Sequence, residues 1–191
     1  MRRTNLAVLV ICGMLATSCS AQHGATAEPA TGDKGQDKSP FIAEHVSRTH
    51  SFSLPLPLRE AIVLFEPEGE KRYAEGWEPH YLAPASGKTV EGMVFTTGHG
   101  DEHTIWTLVR YQPQEGLVEY VRDTPGSRTG IVRVHCRAID PQSTRVEVTY
   151  TLTALSESGN AHLRKFDEAR YRAYVESWPA EIEKAGLTRR K

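Results

Sequence analysis

Short apolar and aromatic runs alternate with turn-forming residues through the middle of the chain, which is the pattern of antiparallel β-strands. The runs are rich in β-branched and aromatic residues and lie at 90–97, 103–112, 117–123, 130–139 and 144–155. The links between them contain the glycine, proline, aspartate or serine that tight turns require. Links this short join antiparallel neighbours, so the pattern predicts a meander. An earlier run at 46–54 predicts a first strand.

Two of these runs alternate strictly enough to assign their faces. The apolar positions of one face are Val132, Val134, Cys136 and Ala138 in the first of them, and Val146, Val148, Tyr150 and Leu152 in the second. One face of the sheet is therefore predicted to be buried and the other hydrated. This pattern favours Cys136 as a small buried apolar side chain over Cys136 as a reactive thiol.

Helical spacing occurs on both sides of the predicted meander. Two short helices are predicted at 57–65 and at 73–77, separated by the break at Pro67 and Gly69. The segment 156–186 has a broad apolar side opposite its charges, which is typical of an amphipathic helix. Proline lacks an amide hydrogen and clashes with the preceding turn, so we expect this helix to kink or restart at Trp178, just before Pro179.

The first residues have the pattern of an export signal. Arg2 and Arg3 precede an apolar run at 6–16 that ends in small residues and is too short to span a bilayer. The residues ATSC at 16–19 resemble the lipobox of bacterial lipoproteins, which implies that Cys19 becomes the acylated N-terminus. The lipobox usually has leucine three residues before the cysteine, whereas Leu15 lies four before it. Ordinary cleavage after Ala21 is the alternative.

These features divide the chain into a lipoprotein-type signal peptide at 1–18, a flexible tether at 19–40 and one folded domain at 41–191. Acylation of Cys19 leaves Cys136 as the single thiol of the mature chain, so no disulfide is expected. The predicted location is the cell envelope, anchored by lipid. Ser20 favours the outer membrane, because aspartate after the cysteine favours inner-membrane retention in some bacteria. The net charge of −1 provides no basic footprint for nucleic acid.

The predicted order is a strand, two short helices, a run of antiparallel strands and a long amphipathic helix. This order resembles the helix-grip fold of the START-like superfamily, also called SRPBCC, which includes the birch pollen allergen relatives and polyketide cyclases. Four stretches carry the likeness to bacterial members of that superfamily: LFEPEGEKRYAEGWEP (64–79), TIWTLVRYQP (104–113), YVRDTPGSRTG (120–130) and VTYTLTALSESGNA (148–161). The resemblance covers residues 45–185.

The resemblance implies an α+β domain in which a curved antiparallel sheet wraps around a long C-terminal helix, with two short helices after the first strand. It also implies a cavity between sheet and helix, which the superfamily uses for lipids, sterols, polyketides and other apolar molecules. Members include enzymes, carriers and regulators of partner proteins, so the fold alone does not define the function.

Residues GHGDEH at 98–103 are the densest group of candidate metal ligands. A zinc site needs three or four ligands that converge from a rigid shell, and no further cysteine or histidine cluster completes one. The segment is therefore predicted to be a turn between two strands, with no metal and no cofactor. The chain has no GxSxG, P-loop or HExxH motif, so no catalytic residue is assigned.

Neighbouring residues of the run at 117–123 raise a question of orientation. Glu119 and Tyr120 point to opposite faces, and Val118 and Arg122 share the Tyr120 face. An inward Glu119 would be a desolvated carboxylate with a raised pKa, suited to acid–base chemistry. An inward Tyr120 would offer a ring and a hydroxyl group. Tyr120 is favoured, because a glutamate costs more to bury.

Six aromatic residues are the predicted lining of the cavity: Phe95, Trp106, Tyr120, Tyr150, Phe166 and Tyr174. Ordinary core packing is the alternative for each of them. The favoured hypothesis is a domain that binds an apolar or amphipathic small molecule or lipid without catalysis. The alternatives are a cyclase- or hydrolase-type enzyme that uses cavity groups as acid or base, and a protein that binds a partner through its surface. The volume and polarity of the cavity distinguish the three.

Overall fold

A seven-stranded antiparallel sheet forms the body of the domain in the computed structural model, which describes residues 40–99 and 102–188. The strands are β1 (His45–Leu54), β2 (His80–Ala83), β3 (Val94–His99), β4 (Glu102–Gln112), β5 (Leu117–Thr124), β6 (Arg128–Asp140) and β7 (Ser143–Ala154). The helices are α1 (Leu58–Ile62), α2 (Pro67–Glu70), α3 (Glu157–Lys165) and α4 (Glu168–Lys184). The predicted signal peptide, Cys19 and nearly all of the tether lie outside the described residues.

The sheet order is β1-β7-β6-β5-β4-β3-β2, so the strands from β2 to β7 form the predicted meander. β1 pairs with β7 at one edge, and β2 pairs with β3 at the other. The chain crosses between the edges through α1, the 3-10 turn Val63–Phe65 and α2. The curved sheet holds the C-terminal helix, and α4 packs against β1. The helix-grip fold predicted from the sequence is confirmed.

The buried face of the sheet follows the predicted alternation. Val132, Val134 and Cys136 are buried on β6, and the four alternate apolar positions of β7 are buried as well. Ala138 is exposed, so its predicted burial is wrong. The register of β6 against β7 shifts between Ala138 and Asp140, which ends the regular alternation. Burial raises the pKa of the Cys136 thiol to about 12, as expected for an inert cysteine.

The second of the two short helices lies earlier than predicted. α2 spans Pro67–Glu70, whereas 73–77, the predicted helix, forms turns. Proline is suited to the first turn of a helix, because its missing amide hydrogen would have no partner there. Gly76 has a φ of 77°, a left-handed conformation that stops a helix. The Trp77 indole nitrogen donates to the Pro67 carbonyl at 3.0 Å and holds the turn segment against α2.

The C-terminal segment is interrupted at a different place from the one predicted. α3 ends at Lys165 and α4 begins at Glu168, whereas α4 continues through Pro179. The carboxylate of Asp167 accepts a hydrogen bond from the amide of Arg170 at 2.8 Å, so Asp167 caps a new helix. The predicted restart near Trp178 is therefore wrong.

The edge strand β2 was not predicted, and β3 begins at Val94 instead of residue 90. β4 begins at Glu102, so GHGDEH connects two paired strands, as predicted, through a shorter turn. Gly100 and Asp101 lie outside the described residues. Among the helices in the described part of the chain, none combines the length and apolar character needed to cross a bilayer.

Candidate functional site

A cavity of about 190 Å³ lies between the concave face of the sheet and α4. Strands β3 to β7, the turn segment after α2, and α3 and α4 all contribute to its wall. Glu75, Gly76 and Gly98 are exposed lining residues and mark its rim. A cavity of about 150 Å³ holds a benzene molecule. This cavity therefore accommodates one ring with one or two substituents.

Aromatic side chains form most of the wall: Tyr73, Trp77, Trp106, Tyr150, Phe166, Tyr174 and Trp178. Their rings meet edge to face. The centroids of Trp77 and Trp106 are 5.5 Å apart, and those of Tyr174 and Trp178 are 5.4 Å apart. Edge-to-face packing is the favoured geometry for aromatic pairs, so the wall is rigid as well as apolar.

Four of the six residues predicted to line the cavity do so: Trp106, Tyr150, Phe166 and Tyr174. Phe95 and Tyr120 lie one layer deeper, so their predicted place in the lining needs correction. The Phe95 ring stacks behind Trp106, with centroids 6.0 Å apart and planes within 3°. Phe95 is only 1% exposed because the larger Trp106 covers it. Ligand contact by the other four stays a prediction.

Tyr120 points inward and Glu119 outward. The Tyr120 hydroxyl donates to the carbonyl of Phe65 at 3.1 Å, which ties β5 to the 3-10 turn. Glu119 lies on the outer face, where Arg133 Nε is 3.2 Å and Arg110 Nη1 is 3.9 Å from its carboxylate. Glu119 is therefore excluded as an acid or base inside the cavity.

Glu70 is the carboxyl group that does line the cavity. Burial raises its pKa to about 8, so the side chain is largely a neutral acid at pH 7. The residue is half-buried and lies in the cavity wall. Gly69 places it there: a Cβ on Gly69 would lie 1.9 Å from the carbonyl oxygen of Val63, so only glycine lets α2 approach the preceding turn this closely.

Arg122 contributes a guanidinium to the cavity wall. It lies on the concave face of β5 between Tyr120 and Thr124, both of which are buried. Its Cζ is 5.5 Å from the centroid of the Trp106 ring, within the range of a cation–π contact. Burial and the nearby charge of Arg128 lower the pKa of Arg122 from its usual value.

Arg128 and Glu102 form a second charged group at the cavity. Two hydrogen bonds of 3.0 Å join the Arg128 guanidinium to the two carboxylate oxygens of Glu102. This bidentate pair connects the start of β6 to the β3–β4 hairpin. His162 lies nearby on α3, and burial together with Arg128 lowers its pKa to about 4, so the ring is neutral at pH 7.

The remaining polar groups of the wall are uncharged. Burial raises the pKa of Tyr73, Tyr150 and Tyr174, so each phenol keeps its proton. Within 40–99 and 102–188, no three histidine, cysteine, aspartate or glutamate residues are arranged to hold a metal ion. The cavity is thus aromatic, with a neutral acid in one part and a cation in another.

The sequence analysis did not identify Glu70, Arg122, Arg128 or His162. Only Arg122 carried a usable signal, because strand alternation places it on the same face as Tyr120. Glu70 is the last residue of the four-residue helix α2, Arg128 is the first residue of β6, and His162 lies in the second half of the short helix α3, so side-chain periodicity did not single them out.

No family model and no curated protein sequence matches the chain. Solved structures do match it. Norcoclaurine synthase from Thalictrum flavum, in complex with dopamine and hydroxybenzaldehyde, is 9% identical over 78% of this chain and 90% of its own, with a TM-score of 0.56. Ginseng major latex-like protein 151 from Panax ginseng is 13% identical over 73% and 96%, with a TM-score of 0.55.

An uncharacterized protein from Rhizobium leguminosarum is 13% identical over 75% of this chain and 97% of its own, with a TM-score of 0.53. At these identities the likeness shows the fold alone. The neighbours have helix-grip folds of the birch pollen allergen type, in agreement with the fold of this domain.

Proposed function

We propose that this domain binds a small amphipathic molecule, about the size of one substituted ring, in the cavity between the sheet and α4. The observation that carries the proposal is the cavity itself, with aromatic walls and a volume of about 190 Å³. Ligand sites in proteins are typically concave, mostly apolar and provided with a few placed polar groups. All three properties are present.

The polar groups strengthen the proposal. A desolvated carboxyl such as Glu70 costs folding free energy, and so does a buried guanidinium such as Arg122. Without a ligand, little in the fold would offset the free-energy cost of keeping these two groups beside the cavity. Norcoclaurine synthase, which has the same fold, was solved with two small aromatic molecules, and this supports a ring-sized ligand here.

The place of action that we propose is the cell envelope, with the domain held at a membrane by acylated Cys19 and a tether of about twenty residues. The support is the signal pattern at 1–18 and the lipobox resemblance at 16–19. The outer membrane is preferred because serine follows Cys19. Nucleic acid is not among the proposed partners, because the net charge is −1.

Native mass spectrometry with solvent extraction tests the binding proposal, on residues 20–191 purified from a bacterial host. We expect a small molecule to co-purify with the wild type and to be absent from Ala74→Trp, since Ala74 lines the cavity and the added indole fills it. Trp106→Ala should also lose it, because one wall is removed. The matched control is Val109→Trp, which places the same indole on an exposed position of β4.

The proposal fails if the folded wild type releases no small molecule and its tryptophan fluorescence does not respond to p-cresol, a single ring with one hydroxyl group. A response that Ala74→Trp and Val109→Trp retain equally would place the binding elsewhere. Melting curves of all variants establish that each one is folded.

A second candidate function is acid–base catalysis, and the raised pKa of Glu70 favours it. A carboxyl with a pKa of about 8 in an aromatic cavity is a suitable general acid at neutral pH. Incubation with the recovered molecule separates the two functions: a carrier returns it unchanged, and an enzyme converts it in a reaction that Glu70→Gln slows. The third hypothesis, partner binding by a domain with a filled interior, fits poorly with an open volume of about 190 Å³.

A further inference from the structure

We infer that the cavity selects a small organic anion, a ring-sized carboxylate that pairs with Arg122 and hydrogen-bonds Glu70 through a hydroxyl or carbonyl group at its far end. The inference rests on the proposed binding function and names the chemical class of the ligand. Three observations carry it: the surroundings of Arg122, the pairing of the neighbouring charges and the position of Glu70.

Arg122 presents a cation that the protein leaves unpaired. Within the described ranges, the ring of Trp106 is the contact of its guanidinium, and neither a hydrogen-bond acceptor nor a carboxylate lies in bonding range. A guanidinium has five donor hydrogens in a fixed fork, the geometry that binds a carboxylate through two parallel hydrogen bonds. Its place in the cavity wall makes those donors available to a ligand.

The other charges around the cavity are compensated within the protein. Both carboxylate oxygens of Glu102 accept hydrogen bonds of 3.0 Å from Arg128, so this pair adds no net charge. Glu181 accepts a hydrogen bond from Lys184 at 3.4 Å, and Glu75 lies at the exposed rim. The ring of His162 is neutral at pH 7. Among the described residues of the inner wall, Arg122 is therefore the charged group without an ion-pair or hydrogen-bond partner of its own, and an anion complements it.

Glu70 supplies a different kind of contact. Glu70 lines the same cavity as Arg122, and Tyr150 and Tyr174 line it with them. Because Glu70 holds its proton at pH 7, it can donate one hydrogen bond and accept others. This end of the cavity thus suits a neutral hydroxyl or carbonyl group and disfavours a second anionic group.

The space between the two ends suits an aromatic ring. Trp106, Tyr150 and Phe166 provide ring faces and edges along it. A volume of about 190 Å³ leaves room for one ring with a carboxylate at one end and one further polar group. A desolvated carboxylate–guanidinium pair is shorter and stronger than a neutral hydrogen bond, so the anion should dominate selectivity.

Isothermal titration calorimetry with 4-hydroxybenzoate and 4-hydroxybenzamide tests the inference, on residues 20–191 at pH 7. The two probes have nearly the same shape and differ in charge. We expect the wild type to bind the anion at least tenfold more tightly than the amide. Arg122→Met should abolish this preference and weaken binding of the anion more than binding of the amide, because only the anion loses a charge-assisted pair. Arg133→Met, on the outer face, is the matched control and should keep the preference.

Equal affinity for the two probes in the wild type would overturn the inference, whatever the variants do. Retention of the preference by folded Arg122→Met would overturn it as well. If 4-hydroxybenzamide or p-cresol binds and 4-hydroxybenzoate does not, the anion selectivity is wrong while the proposed binding function stands. If no probe binds and no molecule co-purifies, both are wrong. Arg122→Gln repeats the comparison should Arg122→Met fail to fold.

Discussion

Glu70 and Arg122 are ionisable side chains in surroundings that disfavour their charged forms. Burial raises the pKa of the Glu70 carboxyl to about 8 and lowers the pKa of the Arg122 guanidinium. The two respond differently at neutral pH. Glu70 gives up its charge and becomes a hydrogen-bonding acid, whereas arginine stays protonated in proteins and keeps its charge. One aromatic cavity thereby acquires two distinct polar contacts.

The pKa of Glu70 predicts how stability depends on pH. In the unfolded chain the carboxyl ionises near 4.5, and in the folded domain near 8. Below pH 4.5 both states are protonated. Between 4.5 and 8 only the unfolded state is ionised, so the free energy of unfolding falls as the pH rises. Above 8 both states are ionised and the loss levels off.

We expect Glu70→Gln to remove this contribution, because the amide cannot ionise. The variant should match the wild type at pH 5 and exceed its stability at pH 9 by about 2 kcal/mol. The full pKa shift, at about 1.4 kcal/mol per pKa unit, would give a larger difference, but Glu70 is only half-buried and solvent screens its charge. Urea unfolding, followed by tryptophan fluorescence at both pH values, measures this difference in the free energy of unfolding. Glu115→Gln, at an exposed turn, is the control, and an equal effect of both variants would refute the assignment.

At the scale of elements, a short helix places one of the two polar groups that the cavity offers to a ligand. α2 has only four residues, yet its contact with the preceding 3-10 turn directs Glu70 inward. The contact depends on Gly69, since a Cβ there would overlap the Val63 carbonyl and approach the Leu64 Cα to 2.8 Å. A packing interaction between two backbone segments thus places the acid.

Gly69→Ala should therefore destabilise the domain by about 2 kcal/mol or more, in the range of overpacked substitutions, and weaken p-cresol binding because Glu70 and Tyr73 move. Gly98→Ala is the contrasting control for stability, because its Cβ would meet the His103 ring at 3.3 Å, a side chain that can rotate, and the Glu102 carbonyl oxygen at an ordinary contact distance of 3.8 Å. Chemical denaturation and fluorescence titration measure the two effects. Equal stability of the two alanine variants would show that the close approach is not required.

The C-terminal helical segment is interrupted at the Asp167 cap and not at Pro179. Pro179 removes one amide donor, and the carbonyl of Val175 loses its usual partner, yet α4 continues. At 166–167 the chain instead gains two bonds outside the helix: Arg48 Nε donates to the Phe166 carbonyl at 2.7 Å, and Asp167 caps α4. Packing of Tyr171, Val175 and Ile182 against the sheet then stabilises α4 on both sides of the proline.

At the scale of the whole molecule, the arrangement that we propose is a ligand-binding domain held by a lipid-anchored tether. A signal pattern, a lipobox resemblance and about twenty residues poor in apolar side chains precede a domain with its own core. Such a tether has a mean reach on the order of 25 Å. The cavity would then operate within a short distance of the membrane surface.

Cys19→Ser tests the anchor in the full chain, expressed in a Gram-negative host. We expect the wild type to sediment with membranes and to resist extraction with high salt, because an acyl chain and not charge retains it. Cys19→Ser should leave the membrane fraction or accumulate as the uncleaved precursor. Cys12→Ser is the matched control, since this cysteine belongs to the segment that cleavage removes. A wild type that does not sediment with membranes, and a Cys19→Ser variant with the same mature length in the same fraction, would favour ordinary cleavage after Ala21.

The fold was largely predictable because its signals are local. Alternation in β6 and β7 identified the buried face, turn residues separated the strands, and the amphipathic pattern identified the C-terminal helical region. The misplaced elements are those without a periodic signal. β2 has four residues and pairs only at the sheet edge, and α2 is defined by Pro67 and a contact of Gly69. Sequence periodicity does not detect elements this short.

The sequence by itself determined the element types, the wet and buried faces, and the aromatic residues Trp106, Tyr150, Phe166 and Tyr174 as cavity candidates, because each follows from side-chain spacing along one element. Only the tertiary structure decided that Phe95 and Tyr120 lie behind that wall, since their depth depends on what covers them. It also decided that Glu70 and Arg122 share one cavity. They are fifty-two positions apart on different elements, and only the curvature of the sheet around α4 brings them together.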